Sequence, residues 1–429
     1  MSWLAGWLLA CVPSDAPAPA PTPSEPLQTS TSVWTAPPGL GTGQVVRLQR
    51  GGATVAVSAL DAFGAAPSVY VVPVSAASGS LDDLATATFT NHPTTQAGFD
   101  VVVADLDADG ADDALVLGSL VTDLLSENTS VMGMLAGPLE GALSAEDLVG
   151  AWGGGTTRSY ARRLSVADVS GDGVDDLVVT IAALDFSELN GIAVFEGPVT
   201  GLPIDGPHDY EISTDAEVGY GANFLTAQLD DDPEHELIVQ AATSQEVWLT
   251  DARRADADSG RIGVLLQEGW DFAYLGRSLG SGRVVQTDLP EVWLGANGYG
   301  ERAGRVDAHV VREGLVGTWV ASIESHEPHG LFGTSMCLAD LNHDGHQDLV
   351  VGAPGDPYFG EPRPGRIYVF GGPVAEGEHD ASEASQILQM SEAADSFGYA
   401  MACQDGQLFV TAPDDPDGKH VYVFEGMRW

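Results

Sequence analysis

The stretch ADLNHDGHQDLVVGAP, residues 339–354, determines how this chain is interpreted. Oxygen-bearing side chains alternate at Asp340, Asn342 and Asp344, and Gly345 follows them directly. An aliphatic run, Leu-Val-Val, comes next and is bounded by Gly and Pro, which is typical of a short buried strand. The stretch therefore predicts a polar loop that leads straight into a β-strand.

Related stretches recur along the chain and indicate a repeat architecture. They are FDVVVADLDADGADDALVLG at 99–118, SVADVSGDGVDDLVVT at 165–180 and TAQLDDDPEHELIVQ at 226–240. Each unit has a small residue upstream that serves as an alignment mark, and these marks are Gly41, Gly98, Ala161, Gly221, Gly276, Gly333 and Gly398. The intervals between marks are 57, 63, 60, 55, 57 and 65 residues, so the chain contains seven units of similar length.

Each unit has the pattern of four short strands. In the sixth unit, DLVVGAP is followed by a loop rich in Gly and Pro, then by GRIYVFGGP and SQILQMSE. The units lack the sustained 3.6-residue period of amphipathic helices. Four-stranded antiparallel units repeated radially are the blades of a β-propeller. We expect an all-β, seven-bladed β-propeller; because units one, five and seven are degenerate, six blades or an irregular ring remain alternatives.

The two ends of the chain suggest how the ring closes. The last unit ends after its third strand, and the segment TSVWT at 31–35 precedes the first mark. We expect this N-terminal segment to supply the missing outer strand, so that one blade contains both ends of the chain.

The pattern FG…ADLNHDGHQDLVVGAP…GRIYVF resembles the FG-GAP repeat of the integrin α-subunit head, a seven-bladed propeller. The resemblance covers residues 33–427 and is strongest in the sixth unit, good in the second and third, and partial in the fourth. It implies that ligands bind on the face opposite the acidic loops.

The acidic loops have the oxygen spacing of a Ca²⁺ site. Ca²⁺ takes six to eight oxygens at about 2.3–2.6 Å, and side chains at positions 1, 3, 5 and 9 with a carbonyl at position 7 supply them. The predicted ligands in the second, third and sixth units are Asp105, Asp107, Asp109, Ala111 carbonyl and Asp113; Asp168, Ser170, Asp172, Val174 carbonyl and Asp176; Asp340, Asn342, Asp344, His346 carbonyl and Asp348.

The acidic loops have two alternative interpretations. An EF-hand requires flanking helices and a Glu at position 12, where this chain has Val116, Val179 and Val351. Metal-free Asx turns are the second alternative, but their crowded carboxylates would repel one another without a cation. We expect about three structural Ca²⁺ ions. A weaker fourth site would use Asp230, Asp232 and Glu236, with Gln228 at position 1.

The strongly negative net charge argues against anionic binding partners. The 429-residue chain has 62 acidic and 17 basic residues, a net charge of −45, and 44% hydrophobic residues. Such a field repels phosphate backbones and anionic lipids, so we expect neither nucleic-acid binding nor electrostatic membrane binding.

The N-terminus suggests export. The run MSWLAGWLLAC at 1–11 resembles a signal peptide with a lipobox, which implies lipidation of Cys11, although no Lys or Arg precedes the apolar run. Ordinary secretion and a cytoplasmic location are the alternatives. Residues 12–32, rich in Pro, Ala, Ser and Thr, are expected to form a disordered linker before a propeller at 33–429. Any membrane tie would be this N-terminal lipid.

The ligand face and the remaining cysteines give weaker signals. Aromatic residues on loops opposite the acidic loops are candidate contacts, namely Trp152, Tyr299, Tyr358 and Phe359, although packing within the loops is the favoured explanation for each of them. Cys337 and Cys403 lie on adjacent inner strands, where either a disulfide or two buried thiols would fit.

Function is expected to be binding rather than catalysis. The sequence has no HExxH, GxSxG or P-loop motif, and no acidic pair stands out. We expect an exported, extracellular calcium-binding module for adhesion to a surface protein or glycan. The alternatives are a propeller enzyme, a lyase or hydrolase acting on polysaccharide near the central channel, and a purely structural surface protein.

Overall fold

The structure is a computed structural model of the whole chain. It describes residues 30–429 except 31, 37–40, 50–51, 61–67, 91–96, 119–130, 154–157, 184–188, 201–208, 214–219, 231, 243–244, 251–263, 270–272, 313–315, 356–363, 390–395 and 414–419. The predicted leader with Cys11 lies outside the described residues, as does the linker at 12–32 apart from Ser30 and Ser32. Among the described residues, no helix has the length and apolarity needed to cross a bilayer.

The described chain is built almost entirely from short strands. The strands of the N-terminal segment and of units one to three are β1 (Ser32–Thr35), β2 (Gly41–Leu48), β3 (Thr54–Leu60), β4 (Ser68–Pro73), β5 (Gly79–Ser80), β6 (Ala87–Thr90), β7 (Ala97–Ala104), β8 (Asp113–Gly118), β9 (Val131–Leu135), β10 (Gly141–Ser144), β11 (Leu148–Gly153), β12 (Arg158–Ala167), β13 (Asp176–Ala183), β14 (Leu189–Phe195) and β15 (Tyr210–Ser213).

Units four to seven continue the same pattern. Their strands are β16 (Tyr220–Ala227), β17 (Glu236–Ala241), β18 (Glu246–Thr250), β19 (Val264–Glu268), β20 (Leu275–Gly282), β21 (Glu291–Ala296), β22 (Arg305–Arg312), β23 (Val316–Glu324), β24 (Ser335–Ala339), β25 (Asp348–Ala353), β26 (Arg366–Phe370), β27 (Gly377–Asp380), β28 (Gln386–Gln389), β29 (Met401–Gln404), β30 (Gln407–Ala412) and β31 (His420–Glu425). In the described ranges, helical structure is limited to single turns, namely α1 (Leu81–Leu84), α2 (Tyr299–Arg302) and the 3₁₀ turns Ala145–Asp147 and Ala381–Glu383.

The all-β propeller architecture is confirmed, but the expected seven separate blades are not. Within the described ranges the strands form six hydrogen-bonded sheets. Five sheets contain one four-stranded antiparallel unit each, three of them with a fifth, short strand at the edge. The eight-stranded sheet contains β12 to β15 together with β16 to β19, and one parallel pair, Asn190 with Tyr220, joins these two sets. That single pair is why the count is six.

The predicted closure by the N-terminal strand is confirmed. β1 pairs antiparallel with β31 over four residue pairs and becomes the outer strand of the seventh unit. Trp34 on β1 is fully buried, and its ring centroid lies 5.5 Å from that of Phe409 on β30. Burial of a large aromatic side chain at this seam stabilises the joined ends.

Three short strands that the sequence did not predict connect neighbouring units. β5, β10 and β27 pair in parallel with β1, β6 and β23, the outer strands of the preceding units. Each lies between the third and fourth strands of its own unit and runs into a helical turn. The edges of these three outer strands are thereby covered where they pair.

The FG pair packs each of the last two units against its neighbour. Phe332 and Phe397 are fully buried, and each meets a tyrosine of the third strand edge-on: Phe332 with Tyr368 at 5.2 Å, and Phe397 with Tyr422 at 5.6 Å between centroids. Edge-to-face pairs of this kind add to the stabilisation from burial.

The Gly of the FG pair provides an acceptor for the next bond between units. Gly398 has φ of 92°, and its carbonyl accepts a hydrogen bond from Ser335 Oγ at 2.7 Å. Ser278 Oγ donates to the Gly333 carbonyl in the same way at 2.8 Å. A Cβ on Gly352, the Gly of GAP, would lie 2.4 Å from the Gly398 carbonyl oxygen. The motif glycines are therefore required by close approach of adjacent inner strands.

Cys337 and Cys403 form a disulfide, with their Cα atoms 5.9 Å apart. The bond joins β24 of the sixth unit to β29 of the seventh. Of the two arrangements left open by the sequence, the structure has the disulfide rather than two buried thiols.

Candidate metal centres

Three loops with one sequence pattern connect the first strand to the second in units two, three and six. We call them loop two (105–113), loop three (168–176) and loop six (340–348). They follow β7, β12 and β24 and lead into β8, β13 and β25. Each loop is therefore fixed at both ends by paired strands.

Loop two is folded around the side chain at position 1. Asp105 Oδ1 accepts a hydrogen bond from Asp109 N at 3.1 Å, and Oδ2 accepts one from Gly110 N at 3.0 Å. Asp107 Oδ1 accepts from Asp109 N at 3.0 Å, and Asp109 Oδ1 accepts from Ala111 N at 2.8 Å. The carboxylates at positions 1, 3 and 5 thus surround one tight turn.

Loop six has the same arrangement. Asp340 accepts from Asp344 N at 3.1 Å and from Gly345 N at 2.9 Å, while Asp344 Oδ1 accepts from His346 N at 2.9 Å. The Asn342 side-chain amide donates to Asp344 Oδ2 at 2.9 Å. This amide, followed by the His346 N–H, lowers the pKa of Asp344 below its usual value.

Loop three repeats the pattern with a hydroxyl at position 3. Asp168 accepts from Asp172 N at 3.1 Å and from Gly173 N at 2.8 Å, and Asp172 Oδ1 accepts from Val174 N at 2.9 Å. Ser170 Oγ lies 3.5 Å from Asp168 Oδ1. Position 1 has the same backbone partners at positions 5 and 6 in all three loops.

The acid at position 9 is buried and ties the loop to the rest of the unit. In Asp113, Asp176 and Asp348, one oxygen accepts from the backbone N–H at position 2, at 2.8–3.0 Å. The other accepts from a glycine just after the third strand, at 2.7–3.0 Å. Those glycines, each followed by a cis proline, are Gly137, Gly197 and Gly372. The GP pairs were the sequence signal for this contact, which the sequence interpretation missed.

Burial raises the pKa of Asp113, Asp176 and Asp348, and the backbone N–H donors oppose this effect. The side chains are 0% exposed in all three residues. A desolvated carboxylate is costly unless hydrogen bonds or a cation compensate for the lost water. Position 9 is thus both a structural tie and a potential ligand.

Position 4 of each loop adopts a left-handed backbone. Ala108 has φ of 62° and His343 has φ of 61°, although neither is glycine, and Gly171 has φ of 72° at the same place. Left-handed residues other than glycine persist only where their surroundings impose them. The shared conformation is therefore imposed by the loop and does not depend on the residue at position 4.

The donor sets fit a hard cation. Two oxygens that share one Ca²⁺ at about 2.4 Å lie no more than about 4.8 Å apart. Carboxylate oxygens of Asp105, Asp107 and Asp109 all lie within 4.8 Å of one another. In loops three and six, Ser170 and Asn342 replace one carboxylate with a neutral oxygen donor. Calcium accepts such neutral oxygens alongside carboxylates.

The weaker fourth set also converges. Carboxylate oxygens of Asp230, Asp232 and Glu236 lie within 4.8 Å of one another, although Pro233 occupies the usual glycine position. The Gln228 side-chain amide donates to the Asp232 carbonyl, so position 1 is engaged with the backbone.

Glu236 is the buried member of this fourth set. Burial, with a smaller contribution from the charges of Asp230 and Asp232, raises its pKa to about 7, and the Leu229 N–H that donates at 2.8 Å opposes this rise. The side chain is 3% exposed. Glu236 is therefore a buried carboxyl with a pKa close to neutrality.

The fifth unit has a buried acid that the sequence interpretation missed. Glu291 begins β21, as Asp348 begins β25, and is 0% exposed. Its Oε2 accepts from Val284 N at 2.7 Å and its Oε1 accepts from Thr287 Oγ1 at 2.8 Å. The signal was an acid directly before VWLGAN, but it stands without the alternating acids of the other loops.

Neighbouring units contact the position 1 backbone in two of the loops. The Asp168 carbonyl accepts from His235 N of unit four at 2.9 Å, and the Asp340 carbonyl accepts from Gly406 N of unit seven at 2.8 Å. Loops three and six are therefore supported from outside their own units.

The predicted ligand face is described only in part. Tyr299 is half-buried in α2, with the Arg305 guanidinium 5.6 Å from its ring centroid. Trp152 lies on β11, but its side chain is outside the described residues, as are Tyr358 and Phe359.

Comparisons with known proteins find similar sequences for part of this chain. Residues 332–370 match the FG-GAP repeat family model. The chain is 37% identical over 124 residues to rat phosphatidylinositol-glycan-specific phospholipase D, which is 25% of this chain and 15% of that protein. It is 40% identical over 106 residues to human integrin alpha-7, covering 22% and 8%, and 29% identical over 126 residues to Xenopus laevis integrin alpha-5, covering 27% and 11%.

These matches confirm the resemblance in the sixth unit. The chain contains an FG-GAP repeat and is homologous to integrin alpha subunits over part of its length. It spans no more than 15% of the length of these relatives.

Proposed function

We propose that this chain is an exported, calcium-stabilised β-propeller of seven blades that acts as a surface binding or adhesion module. The single observation that carries the proposal is the shared fold of loops two, three and six. Three separate units place oxygen donors at the same loop positions around the same backbone turn. Calcium is the cation whose size and preference for oxygen suit these donors.

The proposed blade number follows from strand pairing. In the part of the chain that the structure describes, each of seven sets has four antiparallel strands, and only the pair Asn190 and Tyr220 merges two sets into one sheet. One residue pair is a small link compared with the ladders inside each set. We therefore count β12 to β15 and β16 to β19 as two blades.

The residues that would hold the metal are the side-chain oxygens at positions 1, 3, 5 and 9 and the carbonyl at position 7. Bound Ca²⁺ would supply positive charge at crowded carboxylates in a chain of net charge −45. Because the loop must be folded to present these oxygens, binding would stabilise the folded state by mass action. About three ions are proposed, with the set around Glu236 as a weaker fourth.

Export is supported by the disulfide. The Cys337–Cys403 disulfide suits an oxidising compartment. The N-terminal lipobox-like run remains part of the proposal, with lipidation at Cys11 as the membrane tie. The partner class proposed is a surface protein or glycan, bound on the face opposite the acidic loops.

An enzyme is the second candidate, because one set of relatives carries the name phosphatidylinositol-glycan-specific phospholipase D. The chain covers 15% or less of those proteins, so the activity in their name need not reside in the shared part. On the inner strands, Asp100 is buried and accepts from Leu164 N at 3.0 Å, with Arg163 at 3.9 Å. These charged groups connect units two and three.

Calorimetry and thermal unfolding of the full chain test the metal. We expect about three Ca²⁺ ions per chain and a rise in melting temperature relative to excess chelator. A variant with Asp107→Asn, Asp172→Asn and Asp344→Asn together should lose most of that rise. An unchanged melting temperature in wild-type protein would overturn the calcium proposal.

Binding and catalysis are separated by a second experiment. Calcium-loaded protein is screened against a glycan array and tested for cleavage of a phosphatidylinositol-glycan substrate and of acidic polysaccharides. Retention of a glycan without turnover supports the module. Turnover that persists through repurification would replace it with the enzyme candidate.

A further inference from the structure

Loop six differs from loops two and three because a disulfide lies close to its first residue. Cys337 lies three residues before Asp340, and Cys403 lies two residues before Asp405. The disulfide between these cysteines therefore joins the strand entering loop six to the strand entering the tight turn of unit seven. That turn, 404–407, connects β29 to β30.

The turn of unit seven forms hydrogen bonds with both the backbone N–H and the carbonyl of Asp340, the first residue of loop six. Asp340 N donates to Asp405 Oδ1 at 3.2 Å, and the Asp340 carbonyl accepts from Gly406 N at 2.8 Å. Gly406 has φ of 75°, and a Cβ there would lie 2.4 Å from His343 Nε2. The turn is thus packed directly against position 4 of the loop as well.

We propose that the Cys337–Cys403 disulfide and the turn at 404–407 are positioning elements for the loop-six cation site, setting its Ca²⁺ affinity through the backbone of Asp340. The inference rests on the proposed calcium function. Asp340 is the residue whose carboxylate accepts from Asp344 N and Gly345 N, so a shift of its backbone moves the centre of the donor set. Residues that hold ligands in place typically change metal affinity about 10–100-fold when removed.

Loop three is the matched internal control. Its position 1 carbonyl is also held by the next unit, through His235 N at 2.9 Å. The corresponding strands β12 and β16 contain no cysteine, since the chain's three cysteines are Cys11, Cys337 and Cys403. Loss of the disulfide should therefore affect loop six and leave loop three unchanged.

The test is amide hydrogen exchange with mass spectrometry on the full chain, titrated with Ca²⁺, because peptides covering the three loops report separately. In wild-type protein we expect Ca²⁺ to protect all three loops. In Cys337→Ser/Cys403→Ser we expect the midpoint at loop six to move to at least about tenfold higher Ca²⁺. The midpoints at loops two and three should stay in place. A disulfide that is only a global brace would shift all three midpoints together or none.

A second variant guards against a double mutant that fails to fold. Asp405→Ala removes the acceptor for Asp340 N and leaves the disulfide intact, and Asp405→Asn restores the acceptor without the charge. We expect Asp405→Ala to weaken loop six alone and Asp405→Asn to recover it. Equal midpoints at loop six for wild type and Asp405→Ala would overturn the inference while calcium binding stands. Absence of protection at all three wild-type loops would instead overturn the calcium proposal itself.

Discussion

Units five and six stabilise the loop between their first and second strands with different side chains. In both, a buried acid begins the second strand and accepts from the backbone N–H seven residues earlier: Glu291 from Val284, and Asp348 from Leu341. Unit six then crowds acidic side chains into the loop. Unit five has Thr287 Oγ1 donating to Glu291 instead. The buried acid is therefore an element of the blade, and the cation ligands are an addition to it.

The largest effect is expected from removing the buried acid. Asp348→Ala leaves Leu341 N and Gly372 N without their acceptor inside the fold, and we expect a loss of about 3 kcal/mol in chelator. Glu291→Ala should cost a similar amount if the two acids play the same structural part. Urea unfolding of both variants in chelator measures this. A large loss for Asp348→Ala only in the presence of Ca²⁺ would contradict the shared role.

Units five and six also differ at the residue that pairs with the position after the buried acid. In unit six, Leu349 follows Asp348 and pairs with Phe370 on the third strand. In unit five, Val292 follows Glu291 and pairs with His309 on the third strand. His309 is 5% exposed, with its Nε2 2.6 Å from Gln267 Oε1. Burial lowers the pKa of His309 to about 4, which the charge of Asp307 opposes. Unit five thus contains an acid-sensitive group where unit six contains an aromatic ring.

The contribution of His309 to stability should therefore decrease in acid. The folded-state pKa of His309 lies below its unfolded value, so the unfolded chain takes up the proton first as pH falls. This contribution should decrease from pH 6.5 downward, by about 2 kcal/mol at pH 5, whereas the buried acids with raised pKa values act in the opposite direction. His309→Gln should remove most of this dependence. Urea midpoints of both proteins at pH 7 and pH 5 measure it; identical slopes with pH would show that His309 does not titrate in this way.

The sequence predicted features that have a local signal and missed those that have none. The strand pattern and the seven marks gave the propeller, and TSVWT gave the closing strand, because apolar alternation and spacing are local signals. The folded turn of each acidic loop also has a local signal in the spacing of its oxygen-bearing side chains, whereas their binding of Ca²⁺ stays a prediction. Glu291 was missed because a single buried acid has no pattern around it. The parallel strands β5, β10 and β27 were missed because their partners lie in other units.

A smaller effect on stability is expected from an exposed ligand of loop six. Asp344→Asn keeps an oxygen to accept from His346 N and removes one charge from the donor set. In chelator we expect little change in the melting temperature, because the side chain is exposed. With Ca²⁺, one ion should be lost from the calorimetric count. The matched control is Asp288→Asn in the loop of unit five, which should change neither quantity. An unchanged ion count would remove Asp344 from the proposed ligands.

The smallest effect is expected from Glu291→Gln, which removes the charge of the buried acid but keeps a buried polar side chain. Burial raises the pKa of Glu291, opposed by the N–H of Val284 and the hydroxyl of Thr287. The folded protein therefore holds this proton more tightly than the unfolded chain, and its contribution to stability is present at low pH and lost as pH rises through the raised pKa.

Glu291→Gln keeps an acceptor for Val284 N and carries no charge. We expect the variant to gain on wild-type protein as pH rises from 4 to 8 in chelator, by less than the loss from Glu291→Ala. Melting temperatures across this range measure the difference. A constant difference across the range would mean that the carboxylate is ionised throughout, so that a cation or an additional donor compensates for its charge in unit five as proposed for unit six.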